Sequence, residues 1–418
     1  MDHFDFRDGA LWCEDVPLSR IAEEVGTPVY VYSAATLRRH ARVFRKGLAA
    51  AGKVHLAYAI KANPNLAVLR VLADEGYGAD VVSGGELARA LAAGMPAADI
   101  VFSGVGKTEA ELARALDEGI GQVNLELEEE GVVLSALAEA RGTRAPAVLR
   151  VNPDVDAGTH AKISTGKAEN KFGIPIDQAP AMYARLAALP GLEMRGVAIH
   201  IGSQLADLAP LEAAYIRVGE LVATLRAAGH TVTRVDLGGG LGVPYRAGEV
   251  LPSPADLGEI VARVTKEWDV ELMFEPGRVI AGNAGVLLTR VVWVKPGVSN
   301  PYVIVDAAMN DLARPALYDA WHDFQAVNPS GETFTANIAG PVCETGDTFA
   351  RDREIDRVER GDLAIFRTAG AYGATMASTY NSRPLVPEVL VDGSRYAVVA
   401  DRVAAETLIA AERVPDWL

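Results

Sequence analysis

Cysteine is nearly absent. Two residues in 418, Cys13 and Cys343, cannot form a disulfide framework and suit a reducing cytoplasm. Positive charge is in deficit as well: 40 Lys and Arg stand against 55 Asp and Glu, a formal charge of −15. A nucleic-acid partner is therefore not expected, because displacing counterions from phosphates needs a basic face. A small anionic substrate stays possible, since a few arginines in one cleft outweigh a distant acidic surface. No apolar run approaches the roughly 18 residues of a spanning helix, so no membrane partner is expected. The stretch from Met1 to Asp8 lacks the basic and apolar regions of an export signal, and the expected compartment is the cytoplasm. The 7 histidines include no HExxH or other close pairing, so no metal is expected. Internal repeats and low-complexity tracts are missing too.

What is present is a globular balance, 50% hydrophobic and 23% charged, at a length that suggests two domains. Between residues 54 and 280 short apolar runs alternate with helical patterns. The runs begin at Val54, Ala79, Ile100, Gln122, Ala147, Gly196, Thr233 and Glu271. Each reads as a parallel strand buried on both faces. Between them, Thr108 and Glu111 form a capping box before Leu112, and Gly119 ends that helix. Pro64 suits a first helical turn, and 208–228 carries an amphipathic face. Eight strands alternating with helices predict an α/β protein built on a (β/α)8 TIM barrel, with an open doubly wound sheet as the other solution. The barrel is expected over 28–282, and Pro28 to Tyr32, just ahead of the first barrel helix, read as a strand able to join the second domain. Residues 1–27 and 283–418 are expected to form a second, mostly β domain, because after about 283 the helical rhythm gives way to strands separated by Gly, Pro and Asp turns.

In a barrel of this kind chemistry sits at the C-terminal ends of the strands. Those positions hold Lys61, Asp80, Ser83, Ser103, Glu126, Arg150, Asn152, His200, Ser203, Gly238-Gly239-Gly240 and Glu275-Pro276-Gly277-Arg278. A lysine desolvated at a strand end suits imine formation; an ion-paired or snorkelling lysine fits the same position. The glycine triplet after strand seven lets backbone N–H groups approach an anion where such barrels bind phosphate. It is not a dinucleotide fingerprint, because position 243 is Val, and Gly104 to Thr108 is not a P-loop, because position 101 is Val. Glu275 can keep a ring nitrogen protonated or partner Arg278, and the two roles are compatible. His200 can face a flat cofactor or be a satisfied core histidine. Together, the lysine, phosphate cradle and carboxylate describe a pyridoxal 5′-phosphate site.

Seven motifs in order carry a resemblance. They are Tyr58-Ala59-Ile60-Lys61-Ala62-Asn63, His200-Ile201-Gly202-Ser203-Gln204, Gly238 to Gly240, Glu275 to Arg278, Arg314-Pro315-Ala316-Leu317-Tyr318, Gly340 to Asp347 around Cys343-Glu344, and Gly370-Ala371-Tyr372. From about Thr27 to Tyr396 the chain resembles the diaminopimelate decarboxylases, pyridoxal-phosphate enzymes that make L-lysine from meso-2,6-diaminopimelate. The resemblance implies that Lys61 holds the cofactor as an internal aldimine, that His200 stacks on the ring and that Ser203 lies near the phosphate. It implies further cofactor contacts from Gly239, the Glu275–Arg278 segment and Tyr372, and Asp80 and the rest of the glycine triplet are placed with them by their strand-end positions. Arg278, Arg314, Tyr318, Glu344 and Tyr372 match the family's substrate contacts, and Cys343 its proton donor, with Lys61 as the other candidate. A homodimer is implied, because in the family the Cys-Glu segment reaches the partner's active site. The rival readings are a sister decarboxylase acting on ornithine, arginine or lysine, an amino-acid racemase, and a non-catalytic pyridoxal-phosphate-binding protein. Sister enzymes for ornithine typically have Asp where Glu344 stands, racemases meet the ring nitrogen with arginine, and the non-catalytic proteins are commonly a single barrel.

Overall fold

A computed structural model describes residues 2–156 and 171–418. The chain divides into two compact units, Arg38–Val243 with Val250–Ile280, and Met1–Leu37 with Pro244–Glu249 and Ala281–Leu418.

The first unit is the expected barrel. Its strands are Val54–Ala59, Gly78–Val81, Ile100–Phe102, Gln122–Leu125, Ala145–Asn152, Leu192–Ala198, Arg234–Asp236 and Glu271–Phe274. They pair in parallel, each with its chain neighbour, and the eighth pairs back onto the first at Phe274↔Leu56, closing the ring. The apolar runs seen in the sequence are these strands, because in a barrel covered by helices both strand faces are buried. The capping box is formed: the Thr108 hydroxyl accepts from the Glu111 N–H, the Glu111 carboxylate accepts from the Thr108 N–H, and Gly119 closes the helix at φ 70°. Helix Ala209–Ala227 buries Leu211, Tyr215, Val218, Leu221, Val222 and Leu225; burying one such side chain stabilises by ~1.5–3 kcal/mol. Pro64 stands one residue before the N-cap Asn65 of helix Leu66–Asp74, outside the first turn where it was expected. Asn65 takes the capping role because its side chain can accept from the Ala67 N–H.

The second unit is mostly β. Strand Gly285–Lys295 runs at its centre, flanked by Tyr302–Val305, Thr333–Ala339 and Thr348–Asp356 on one side. On the other lie Val29–Ser33, Glu388–Asp392 and Arg395–Ala400. Leu363–Phe366 also pairs with the central strand and Phe324–Ala326 joins it. Val29–Ser33 joins this sheet, as the strand expected at 28–32 can, although 28 is also the expected start of the barrel: it pairs with the central strand at Val286↔Val31 and with Glu388–Asp392 at Val389↔Val31. Val29 and Val31 sit in a core with Leu11, Leu18, Ile21, Val286, Leu288, Ile365 and Val389, which accounts for the difference. The unit boundaries accordingly fall at Leu37 and Ala281 rather than at 27 and 283. Among the described residues no helix is long and apolar enough to cross a membrane, and no group of three metal-ligating side chains occurs.

Candidate active site

In the barrel unit, Lys61 stands in a single 3₁₀ turn, Ile60–Ala62, directly after the first strand. Its Nζ lies 3.1 Å from Asp80 Oδ2, at the end of strand two. Asp80 is fully buried while Lys61 is about one-third exposed, so the amine is reachable and its carboxylate partner is not. The second Asp80 oxygen, Oδ1, is buried with no hydrogen-bond partner, a site that can take a donor. Burial raises the Glu86 carboxyl, the Asp80 charge adds to that, and Lys61 opposes it.

His200, half-buried at the end of strand six, accepts from the Gly239 N–H at 3.3 Å through Nδ1. Burial, then the Lys61 and Arg150 charges, push its pKa well below the usual histidine range. The ring is thus neutral, with its proton on Nε2. The glycine triplet is required sterically. A Cβ on Gly238 would fall 2.4 Å from the Ile199 carbonyl oxygen, one on Gly239 2.3 Å from that of Glu275, and one on Gly240 2.5 Å from that of Gly202. Gly238 and Gly240 also have φ of 67° and 116°, which favour glycine. Gln204 clamps the neighbouring loops, donating to the Val243 carbonyl at 2.6 Å and accepting from its N–H at 3.2 Å. Arg278 donates to the Ser203 hydroxyl at 3.2 Å.

Glu275 is buried. The Ser103 hydroxyl donates to it at 3.4 Å, and its own N–H donates to Gly238 at 2.8 Å. Burial, then the charges of Asp236 and Asp80, push its carboxyl well above the usual range, against Lys61 and Arg150. Asp236 is a second buried acid here, raised first by burial, and its carboxylate accepts from the Gly238 N–H at 2.9 Å and from the Gln122 amide at 3.4 Å. Arg150 makes a buried 2.6 Å ion pair with Glu126, whose other oxygen accepts from the Gly173 N–H at 2.7 Å. Lys107 has a structural task. Its ammonium donates to the carbonyls of Gly104 and Asn124 and to Glu130 at 2.6, 2.8 and 2.6 Å, tying the ends of strands three and four. The structure therefore brings Lys61, Asp80, His200, Ser203, Gly238 to Gly240 and Glu275 to Arg278 together in one unit at the strand ends. A polar residue inside an otherwise apolar strand was the signal that could have found Asp236.

The β unit holds the other expected site residues. Arg314 opens the short helix Arg314–Tyr318 and is buried, its guanidinium 4.7 Å from the Tyr245 ring centre and Nη1 2.9 Å from His322 Nε2. Tyr318, half-buried, ends that helix. Cys343 and Glu344 are exposed on a loop fixed from beneath by Asp347, whose carboxylate accepts from the N–H groups of Met309 and Val342 at 2.7 Å each. A Cβ on Gly340 would meet that carboxylate at 2.4 Å, so glycine is needed there. Burial raises the Asp347 carboxyl. The Cys343 N–H donates to Asn381 at 3.3 Å. Tyr372 has φ 56°, an uncommon backbone state for a bulky residue.

A closed barrel with a reachable lysine, a neutral histidine, a compact glycine loop and a raised carboxyl opposite defines a cofactor-dependent enzyme of the pyridoxal type. The residues fit pyridoxal phosphate: the loop's backbone approach leaves no room for side chains, and Asp80 Oδ1 offers a buried acceptor. Residues 34–282 match the family described as pyridoxal-dependent decarboxylase, pyridoxal binding domain. Diaminopimelate decarboxylase from Zymomonas mobilis is 52% identical, over 99% of this chain and 99% of that protein. The enzyme of that name from Pseudomonas aeruginosa is 51% identical, again over 99% of both. The crystal structure of diaminopimelate decarboxylase from M. jannaschii in co-complex with L-lysine is 35% identical, covers 100% of this chain and 99% of that one, and superposes with a TM-score of 0.96. The chain belongs to the diaminopimelate decarboxylases.

Proposed function

We propose that this chain removes CO2 from meso-2,6-diaminopimelate, giving L-lysine, with pyridoxal 5′-phosphate held in the barrel. The observation that carries the reading is the buried, raised Glu275 in the same barrel mouth as the exposed amine of Lys61. When bound, the cofactor supplies an electron sink for the pair of electrons left behind by departing CO2. Glu275 would face its ring nitrogen and favour the protonated ring, which is the stronger sink. Lys61, whose amine is reachable beside Asp80, would be the residue that holds the cofactor. His200, neutral, would lie against the ring without adding a charge. Gly238, Gly239, Gly240 and Ser203 take the phosphate, with Pro276, Gly277, Arg278, Asp80 and Tyr372 completing the cofactor contacts.

Arg278 and Arg314 bind the carboxylate that is kept through bidentate, charge-assisted bonds, Tyr318 and Tyr372 line the substrate, and Glu344 pairs with its distal ammonium. The departing carboxylate meets no such clamp, because an ion pair there would stabilise the ground state. Cys343 gives the α-carbon its proton, with Lys61 as the other donor within the site. The working form is a homodimer in the cytoplasm in which Cys343 and Glu344 serve the partner's Lys61. An exposed yet firmly anchored loop around Cys343 supports that arrangement. Incubating the purified protein with pyridoxal phosphate and meso-diaminopimelate tests the reading. L-Lysine should accumulate mole for mole with CO2; intact substrate, or a product other than lysine, overturns it.

A further inference from the structure

An arginine that grips a carboxylate through two parallel bonds must hold the plane of its guanidinium in one direction. The helix that carries Arg314 cannot impose this: Arg314–Tyr318 is 5 residues long and ends at Asp319 with φ 50°. The orientation comes from two other segments of the β unit. The Tyr245 ring lies against the guanidinium, its centre 4.7 Å away, and the His322 ring packs edge-on to that tyrosine at 5.4 Å and 87°. His322 Nε2 stands 2.9 Å from Arg314 Nη1, and its Nδ1 stands 2.8 Å from the Arg367 carbonyl oxygen. Arg353 donates to the His322 carbonyl at 2.5 Å, which ties the histidine backbone as well. Arg314 and His322 are 7 and 2% exposed, so solvent has little access to these bonds.

The two contacts fix the protonation of the ring. A carbonyl oxygen only accepts and a guanidinium only donates. Nδ1 therefore carries the proton and donates it to the Arg367 carbonyl, while Nε2 offers its lone pair to Arg314. A histidine in that state is neutral. It orients the arginine without cancelling the charge, as a carboxylate partner would. An arginine left to its rotamers would be ordered only when substrate arrives, and that cost would fall on binding. We propose that His322 is a positioning residue: its Nε2 holds the Arg314 guanidinium in the plane from which it grips the carboxylate that the substrate keeps. The grip on substrate rests on the reading of Arg314 given above; the tautomer and its bond to Arg314 do not.

Two amide side chains separate the roles of the two ring nitrogens. Glutamine can place an acceptor where Nε2 stands, whereas asparagine can replace Nδ1 and keep the Arg367 bond but cannot reach Arg314. In the holoenzyme, His322→Asn should raise KM for meso-diaminopimelate about ten-fold. Its kcat, unfolding temperature and lysine-bound cofactor band should stay near those of the parent, and His322→Gln should restore KM. An equal rise in both variants, or none in His322→Asn while Arg314→Ala raises KM, overturns the positioning role. If Arg314→Ala itself leaves KM unchanged, the assignment of Arg314 fails and the role of His322 falls with it. A second readout needs neither cofactor nor substrate. Nitrogen-15 spectra of the full-length, histidine-labelled protein should contain an imidazole protonated at Nδ1 that is missing from His322→Gln and whose Nε2 resonance moves in Arg314→Ala. A proton on Nε2 instead, or an Nε2 resonance indifferent to Arg314→Ala, overturns the proposal, and this decides the matter should His322→Asn fail to fold.

Discussion

Replacing Gly239 by alanine would insert one methyl group where strand seven's loop meets the end of strand eight. The new Cβ would fall 2.3 Å from the Glu275 carbonyl oxygen and 3.1 Å from its carbon. A relaxed carbon–oxygen contact is about 3.3 Å, so the two backbones must part by about 1 Å. Overpacking of that kind costs ~1–3 kcal/mol. The bond from the Glu275 N–H to Gly238, 2.8 Å long, would be lost with it, adding ~1 kcal/mol. If the strain is expressed in cofactor binding, ~2–4 kcal/mol is a loss of roughly 30- to 1,000-fold in affinity. The assay is an absorbance titration of the protein with pyridoxal phosphate, paired with thermal unfolding of both cofactor-free proteins. Gly106→Ala is the control, because a Cβ there meets nothing within 4 Å. A Gly239→Ala protein with unchanged unfolding temperature and cofactor affinity within three-fold of the parent would refute the reasoning.

Three further outcomes follow from named contacts. Lys61→Ala should abolish the visible absorption band of lysine-bound cofactor, since Lys61 is the lysine beside Asp80 while Lys107 is held by Gly104, Asn124 and Glu130; a retained band contradicts the assignment. Cys343→Ala should lower kcat at least ten-fold (about 1.4 kcal/mol) with that band intact, whereas an unchanged kcat would give the proton donation to Lys61. Burial raises Asp311 from 3.8 to about 6. A raised acid binds its proton more tightly when folded, so the part of the stability that Asp311 supplies should fall by about 3 kcal/mol between pH 4 and 6 and then level off. Asp311→Asn should remove most of that fall in urea titrations at the two pH values, and an equal fall in the variant would contradict it.

The barrel was legible because buried parallel strands are continuous apolar runs, and each of the eight runs became a strand. Such a run does not say which sheet it enters: Val29–Ser33 lies within the stretch expected for the barrel, yet its partners are Val286 and Val389. Strand Thr348–Asp356 has no apolar run to announce it, because Arg351, Asp352, Arg353 and Glu354 interrupt its pattern. It pairs only with Thr333–Ala339 along its length, and an edge strand tolerates charge on its open side. In the site, Lys61, His200, the glycine triplet and Glu275 were visible because strand ends are where barrel chemistry sits. Gln122 and Asp236 were not, because they lie within strands, and only the folded ring turns the amide of one to the carboxylate of the other.

The central claim is tested most directly by CO2 release from meso-diaminopimelate measured beside ornithine, lysine and arginine, with pyridoxal phosphate present. Arg278, Arg314 and Glu344 are assigned to a substrate that carries a second carboxylate and ammonium. The account therefore predicts a kcat/KM for diaminopimelate at least 100-fold above the others, ~3 kcal/mol of discrimination from groups built to be paired. Comparable or faster release from one of the diamino monoacids would contradict it.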